Sequence, residues 1–367
     1  MWSVGLAGDR LPAPRRPGEF ALPGLLAAAL VLSSCAPESR LEEWTLALEE
    51  MTVLGEAGDG PQSSFFNPMD LAFDGNGRLY VLDGGNDRVQ VFDAEGKYLA
   101  TRGRSGSGPG DLSRPSGMWV YPDGELLVAD TGNGRIQRYG PSGEPLPAMK
   151  LDFLPLDVVG TDRRLFVLRL PPPTYVYGPD PTPLVQVFDR DGLALGAHVT
   201  PETAEVGILY FLLNTLRIAA APGGGFALAN THVYSRIRLF DAAGNPQREI
   251  PTLYKAAALA PLGRLPKLLN DESLTRVAKT ALDLCWDPDR GMYWVLSGYV
   301  DRTREGEWVT ARELYRYDAD GNYRGTIVLP FRAVAVAASP DRTLWLLDEE
   351  GLAHRFRLRD PDVAPIF

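Results

Sequence analysis

The 367 residues include only two cysteines and three histidines. Cys35 and Cys285 cannot build a disulfide framework, and no CxxC or zinc motif is present. His198, His232 and His354 are scattered and share no metal-ligand spacing. Positive charge is not in surplus: the formal net charge is −10, which argues against a nucleic-acid backbone as partner. The apolar run Phe20 to Leu32 falls short of the ~20 residues of a membrane-spanning helix. No G-x-S-x-G, P-loop or Rossmann line occurs, so those reaction classes lose their usual signatures. The Gly-rich Gly103 to Gly110 links two strand groups and opens no helix, which excludes a phosphate loop.

Glycine and proline are abundant, with 38 and 31 residues, and they recur between short apolar runs. That pattern favours an all-β architecture over a helical one. At 45% hydrophobic and 23% charged, the composition suits a large packed core.

Residues 1–34 read as a leader. Arg10, Arg15 and Arg16 precede the apolar run, whose length fits a signal peptide. "LSSC", Leu32 to Cys35, resembles the lipobox of bacterial lipoproteins, and that resemblance implies a lipidated Cys35. It further implies an extracytoplasmic, membrane-anchored protein of the bacterial envelope. Ala36 and Pro37 replace the Asp tied to inner-membrane retention, which points to the outer membrane. Residues 35–42 then form a tether. Cys285, in an apolar run, reads as a small buried hydrophobe and not a nucleophile.

The rest of the chain repeats. "LYVLDGGNDRVQVFDAEG" (Leu79 to Gly96) returns as "LLVADTGNGRIQRYGPSG" (Leu126 to Gly143). Each copy reads strand, turn, strand, turn, strand, with period-two alternation and Gly or Asn in the turns. Pro68, Asp83, Asn86, Arg88 and Phe92, and then Pro115, Asp130, Asn133, Arg135 and Tyr139, resemble the line of the NHL repeat. Such repeats build β-propellers with one four-stranded sheet per repeat. The strong likeness runs from Phe66 to Leu146. Four fainter units follow, at Leu156–Gly192, Arg217–Gly244, Asp283–Gly321 and Ala335–Leu358. Asp83 and Asp130 give way there to Arg169 and Asn230.

The expected fold is therefore a six-bladed propeller over residues 43–367. The last unit lacks a fourth strand, and residues 43–53 are expected to supply it and close the ring. Insertions at 199–214 and 251–280 break the rhythm. Asp271 to Leu282 reads as a capped amphipathic helix. The insertions either carry function or simply cover surface.

The Asp-to-Arg turn pairs, Asp83 with Arg88 and Asp130 with Arg135, read as structural. Aligning the units places Asp70, Gly117, Asp157, Arg217, Asp283 and Ala335 at equivalent points on the channel-lining first strands. This ring is either a solvated acidic channel or a binding site. As a site, Asp70, Asp157 and Asp283 would hold a divalent cation such as calcium, and Arg217 would grip an anionic group. His232 falls in a turn within reach of the same channel mouth. Tyr175, Tyr177, Tyr210 and Phe211 are candidates for an exposed partner-binding patch.

The NHL resemblance implies a binding or scaffold module for a protein, peptide or glycan, with membrane contact through the lipid only. The alternative is a metal-dependent hydrolase or lyase acting at the channel mouth.

Overall fold

The computed structural model describes residues 48–55, 64–171, 182–202, 207–231, 236–252, 281–297, 300–302, 308–310 and 312–358. The leader, Cys35, the tether, Tyr175, Tyr177, His232 and residues 253–280 lie outside the described residues. Among the described residues no helix is long and apolar enough to cross a membrane.

Six four-stranded antiparallel sheets follow one another along the chain. The first, Pro68–Phe73, Leu79–Asp83, Arg88–Phe92 and Tyr98–Arg102, shows the plan. The second strand is wholly buried, while the fourth is half-exposed at the rim. The first strands are Pro68–Phe73, Gly117–Val120, Pro155–Gly160, Leu216–Ala221, Ala281–Asp287 and Ala333–Ala338. They touch one another in ring order and line a central channel. The sixth sheet contains only three strands from the C-terminal repeat. Leu48–Leu54 pairs antiparallel with Ala353–Leu358 and completes it, so the two ends of the propeller share one sheet. The closing strand runs one residue past the expected stretch.

A single blade cannot bury both of its faces, and the packing shows how the ring solves this. The apolar clusters fall between consecutive blades. Leu82, Val89 and Val91 of blade one pack with Met118, Val128 and Tyr139 of blade two. Trp345 and Leu347 of blade six close on Leu79, Val81 and Phe92 of blade one.

The Asp that ends so many strands has a local reason. Asp74 Oδ1 accepts the N–H groups of Asn76 and Arg78, each at 2.9 Å, and so holds a tight hairpin. Asp93, Asp189, Asp241, Asp318 and Asp348 repeat the device. At the next turn Asp83 accepts Phe66 N–H at 2.7 Å, Asn86 at 2.9 Å and Arg88 at 2.7 Å. Asp130 does the same with Ser113, Asn133 and Arg135, each at 2.7 Å. Both carboxylates are fully buried, and both tie an inter-blade link to a turn. The turn needs a left-handed residue after its Asn, supplied by Gly134 at φ 62° and, less easily, by Asp87 at φ 52°.

Two expectations change. Ala281 and Leu282, read as the end of a helix, begin the first strand of blade five. The insertion before blade four instead carries a short α-helix, Gly207–Asn214.

The loops are asymmetric. Connections leaving the far ends of the first strands, and those between third and fourth strands, are five residues or shorter, as at 74–78, 161–163 and 339–342. We call this side the turn face. The strand ends on the opposite side, the loop face, are separated in sequence by the longer stretches 103–116, 170–184, 199–215, 252–280 and 298–312. Within 298–312 a small hairpin pairs Val300–Arg302 with Trp308–Thr310.

Candidate functional site

The channel is the one place where all six blades meet. Pairing within each blade puts Asp70 opposite Leu82, Gly117 opposite Ala129 and Asp157 opposite Leu168. Arg217 faces Ala229, Asp283 faces Leu296 and Ala335 faces Leu347. Each of these partners stands one residue before the end of its second strand, so the six positions are equivalent.

A register shift precedes each of the three aspartates, between Pro68 and Asp70, Pro155 and Asp157, and Ala281 and Asp283. Such a bulge re-aims the side chain that follows it. Each carboxylate turns along the ring to the next blade. Asp70 accepts Met118 N–H at 2.9 Å, and Asp283 accepts Val336 N–H at 2.8 Å. Asp157 accepts the N–H of Ile218. Each also accepts the N–H of its own successor: Leu71 and Val158 at 2.8 Å, and Leu284.

Donors serve the gaps from blade two to three and from four to five. Ser116 Oγ reaches the carbonyl of Leu156 at 2.5 Å, and Thr131 Oγ1 that of Pro155 at 2.7 Å. Arg217 Nε donates to the carbonyl of Leu282 at 3.0 Å. Gly117 leaves room for this arrangement, since a Cβ there would stand 2.2 Å from Asp157 Oδ1.

Charge is distributed unevenly. Arg217 lies between Asp157 and Asp283 in blade order, and its guanidinium acts on both. Asp70 is three blades away, between Gly117 and Ala335. Burial pushes its carboxyl well above the ordinary range, and the charges of Asp157 and Asp283 push it further. Burial also raises Asp157, to about 7 against the pull of Arg217, and raises Asp283.

Below the ring the channel widens into a cavity of about 350 Å³ that opens toward the turn face. Phe73, Trp119 and Trp286 contribute aromatic wall, with Cys285 beside them. Cys285 is half-buried: it packs against the apolar cluster between blades five and six and also lines the cavity, and burial raises its thiol well above the usual range. On the loop-face side of the ring is a smaller pocket of about 150 Å³, bounded by Met69, Ser116, Arg217 and Thr231.

Among the described residues no group of three His, Cys, Asp or Glu side chains stands close enough to hold a metal ion. Asp70, Asp157 and Asp283 stand in separate blades around the ring and are not grouped closely enough to form the expected ligand set.

The aromatic candidates divide as well. Tyr210 is buried at 5% exposure and presents no patch. Phe211 is half-exposed. Phe66 and Leu154, not singled out in the sequence, are the open apolar residues of the loop face, at 66% and 45% exposure. His354 is structural. Its ring nitrogens contact Glu50 at 2.7 Å and Asp348 at 2.9 Å, which ties the closing strand to the last blade.

Known proteins match this architecture. Residues 67–169 match a family described as "6-bladed beta-propeller". NHL repeat-containing protein 3 of Mus musculus is 33% identical over 87 residues, 23% of this chain and 25% of that protein. NHL-repeat-containing protein 4 of Mus musculus is 31% identical over 91 residues, 25% of this chain and 62% of that protein. The chain thus spans about a quarter of the first relative and under two thirds of the second. Among solved structures, a streptogramin B lyase aligns with 87% of this chain and 100% of its own, at TM-score 0.52 and 12% identity. A gluconolactonase from Xanthomonas campestris aligns with 79% of this chain and 86% of its own, at TM-score 0.52 and 14% identity. At such identities the likeness speaks for the fold alone. The chain is an NHL-repeat-like six-bladed β-propeller, its repeat likeness concentrated in the first blades and its fold running through all six.

Proposed function

We propose that the propeller is a binding module that presents its loop face to a protein, peptide or glycan partner while a lipid on Cys35 holds it at the bacterial envelope. The observation that carries this reading is the one-sided distribution of connections. Ligand contacts concentrate on loops held by a rigid scaffold. Here the turn face keeps only tight hairpins, and every long stretch between strands leaves and rejoins the sheets on the other side. Phe66 and Leu154 add exposed apolar surface to that side. The alternative, a metal-dependent hydrolase or lyase, lacks comparable support, because among the described residues no three His, Cys, Asp or Glu side chains stand close enough to hold a metal ion.

The test replaces connections 170–184 and 298–312 by short turns copied from residues 190–193. The variant keeps its cooperative melt and loses the partner that the unaltered protein retains. Retention of the same partner by a folded variant would contradict the reading. The anchor has its own test: Cys35→Ser releases the protein from the membrane fraction, and a variant that stays bound removes the lipid from the account.

A further inference from the structure

We propose that the channel cavity on the turn-face side binds an organic cation, its ammonium or guanidinium head beside Asp70 and its apolar body against Phe73, Trp119 and Trp286. This site is separate from the loop face and does not depend on that reading.

Three observations converge. The first is shape: at about 350 Å³ the cavity is of small-ligand size, and its walls are largely apolar. The second is the asymmetry of the ring. Arg217 supplies a positive charge beside Asp157 and Asp283, while the positions flanking Asp70 carry Gly117 and Ala335, which supply none. A cationic head at Asp70 would meet a carboxylate on its own side of the ring. Arg217 lines the pocket on the other side of the ring. The third is the aromatic wall, since Trp and Phe faces attract cations that have shed water. A cation can draw Asp70 into its charged form on binding, whereas an anion cannot, and the Arg217 guanidinium that would attract an anion lines the pocket on the other side of the ring.

The proposal has a proton balance. Buried among carboxyls, Asp70 holds its proton more tightly than an ordinary Asp. When the cation binds, the Asp70 O–H bond breaks, the proton goes to solvent, and the carboxylate pairs with the ligand head. The groups acting on Asp70 are Asp157, Asp283 and Cys285, with Arg217 beyond the first two. Arg78 and Arg290 do not compete, because Asp74 and Asp287 hold them at 2.5 Å and 2.8 Å.

The full chain in detergent is titrated calorimetrically with phenethylamine and agmatine, with 2-phenylethanol as neutral analogue and calcium chloride as metal control. Saturable binding of an amine is expected, with one proton released. Affinity then rises by up to tenfold per pH unit below the point where Asp70 ionises. Asp70→Asn weakens binding at least tenfold, whereas Asp162→Asn, exposed in a turn that does not line the cavity, leaves it unchanged. In the unaltered protein a bound amine also slows alkylation of Cys285 by N-ethylmaleimide, read by mass spectrometry. That second readout stands even if Asp70→Asn fails to fold. Absence of saturable amine binding, equal binding of the neutral analogue, calcium binding that displaces the amine, or unaltered Cys285 alkylation would each overturn the proposal.

Discussion

Asp283 of blade five accepts the backbone N–H of Val336 in blade six at 2.8 Å, across the gap between their channel-lining strands. Asp70 to Met118 and Asp157 to Ile218 repeat this relationship between other blades. The carboxyls that look from the sequence like a ligand set are thus staples first. Their ionisation and their neighbours decide how the channel behaves.

The ring makes stability depend on pH in a definite direction. Folding raises the carboxyls of Asp70, Asp157 and Asp283. Their contribution is therefore fully present below the unfolded-chain value of about 3.9 and is lost as pH rises through the folded value, about 7 for Asp157. Unfolding free energies of the protein and of Asp70→Asn, measured in urea from pH 4 to 8.5, should diverge. The unaltered protein loses stability relative to the variant as pH rises. A constant difference would show that Asp70 is not forced to ionise at cost.

The turn carboxylates behave oppositely to a free surface charge. Asp130 is fully buried and holds Arg135 at 2.7 Å, together with Asn133 and Ser113 N–H. Asp130→Ala removes the carboxylate partner of that guanidinium, leaving it the carbonyls of Ser107, Gly108 and Asp111, and unties an inter-blade link. A loss of about 3–5 kcal/mol is expected, the usual cost of breaking a buried pair on one side. Denaturant unfolding measures it, and a loss under 1 kcal/mol would contradict the assigned role.

Gly117 is small because Asp157 leans on it. Gly117→Ala places a methyl group 2.2 Å from Asp157 Oδ1 and 3.0 Å from its Cα. Overpacking of this kind costs about 1–3 kcal/mol. Because the two residues touch, the double variant with Asp157→Ala should fall short of the sum of the single losses. Simple additivity would mean that the contact carries no energy.

Closure by Leu48–Leu54 protects the edge of Ala353–Leu358. A chain beginning at residue 56 should lose cooperative melting, and a synthetic 43–55 peptide should restore it. Glu50→Ala, which removes one partner of His354, should lower the melting temperature without opening the ring.

Much of this fold is legible in the sequence because its signals are local. Strand alternation, the hairpin Asp and the Asp-Asn-Arg turn each act within a few residues, so blades and ring positions can be placed by alignment. The direction in which Asp70, Asp157 and Asp283 turn depends on bulges just before them and on N–H groups about fifty or more residues away. Neither leaves a mark in the local pattern. The helix Gly207–Asn214 hides for a different reason: "GILYFLLN" is apolar almost throughout, and a short apolar run reads equally as strand or helix.

The measurement that tests the binding account most directly is site-directed photo-crosslinking in the native envelope. A photoreactive residue is placed at Phe66 or Leu154 on the loop face, and at Glu95 or Leu193 on the turn face. The account predicts one common crosslinked partner from both loop-face positions and none from the turn face. Crosslinks confined to the turn face would contradict it and would place the working surface on the other side of the ring.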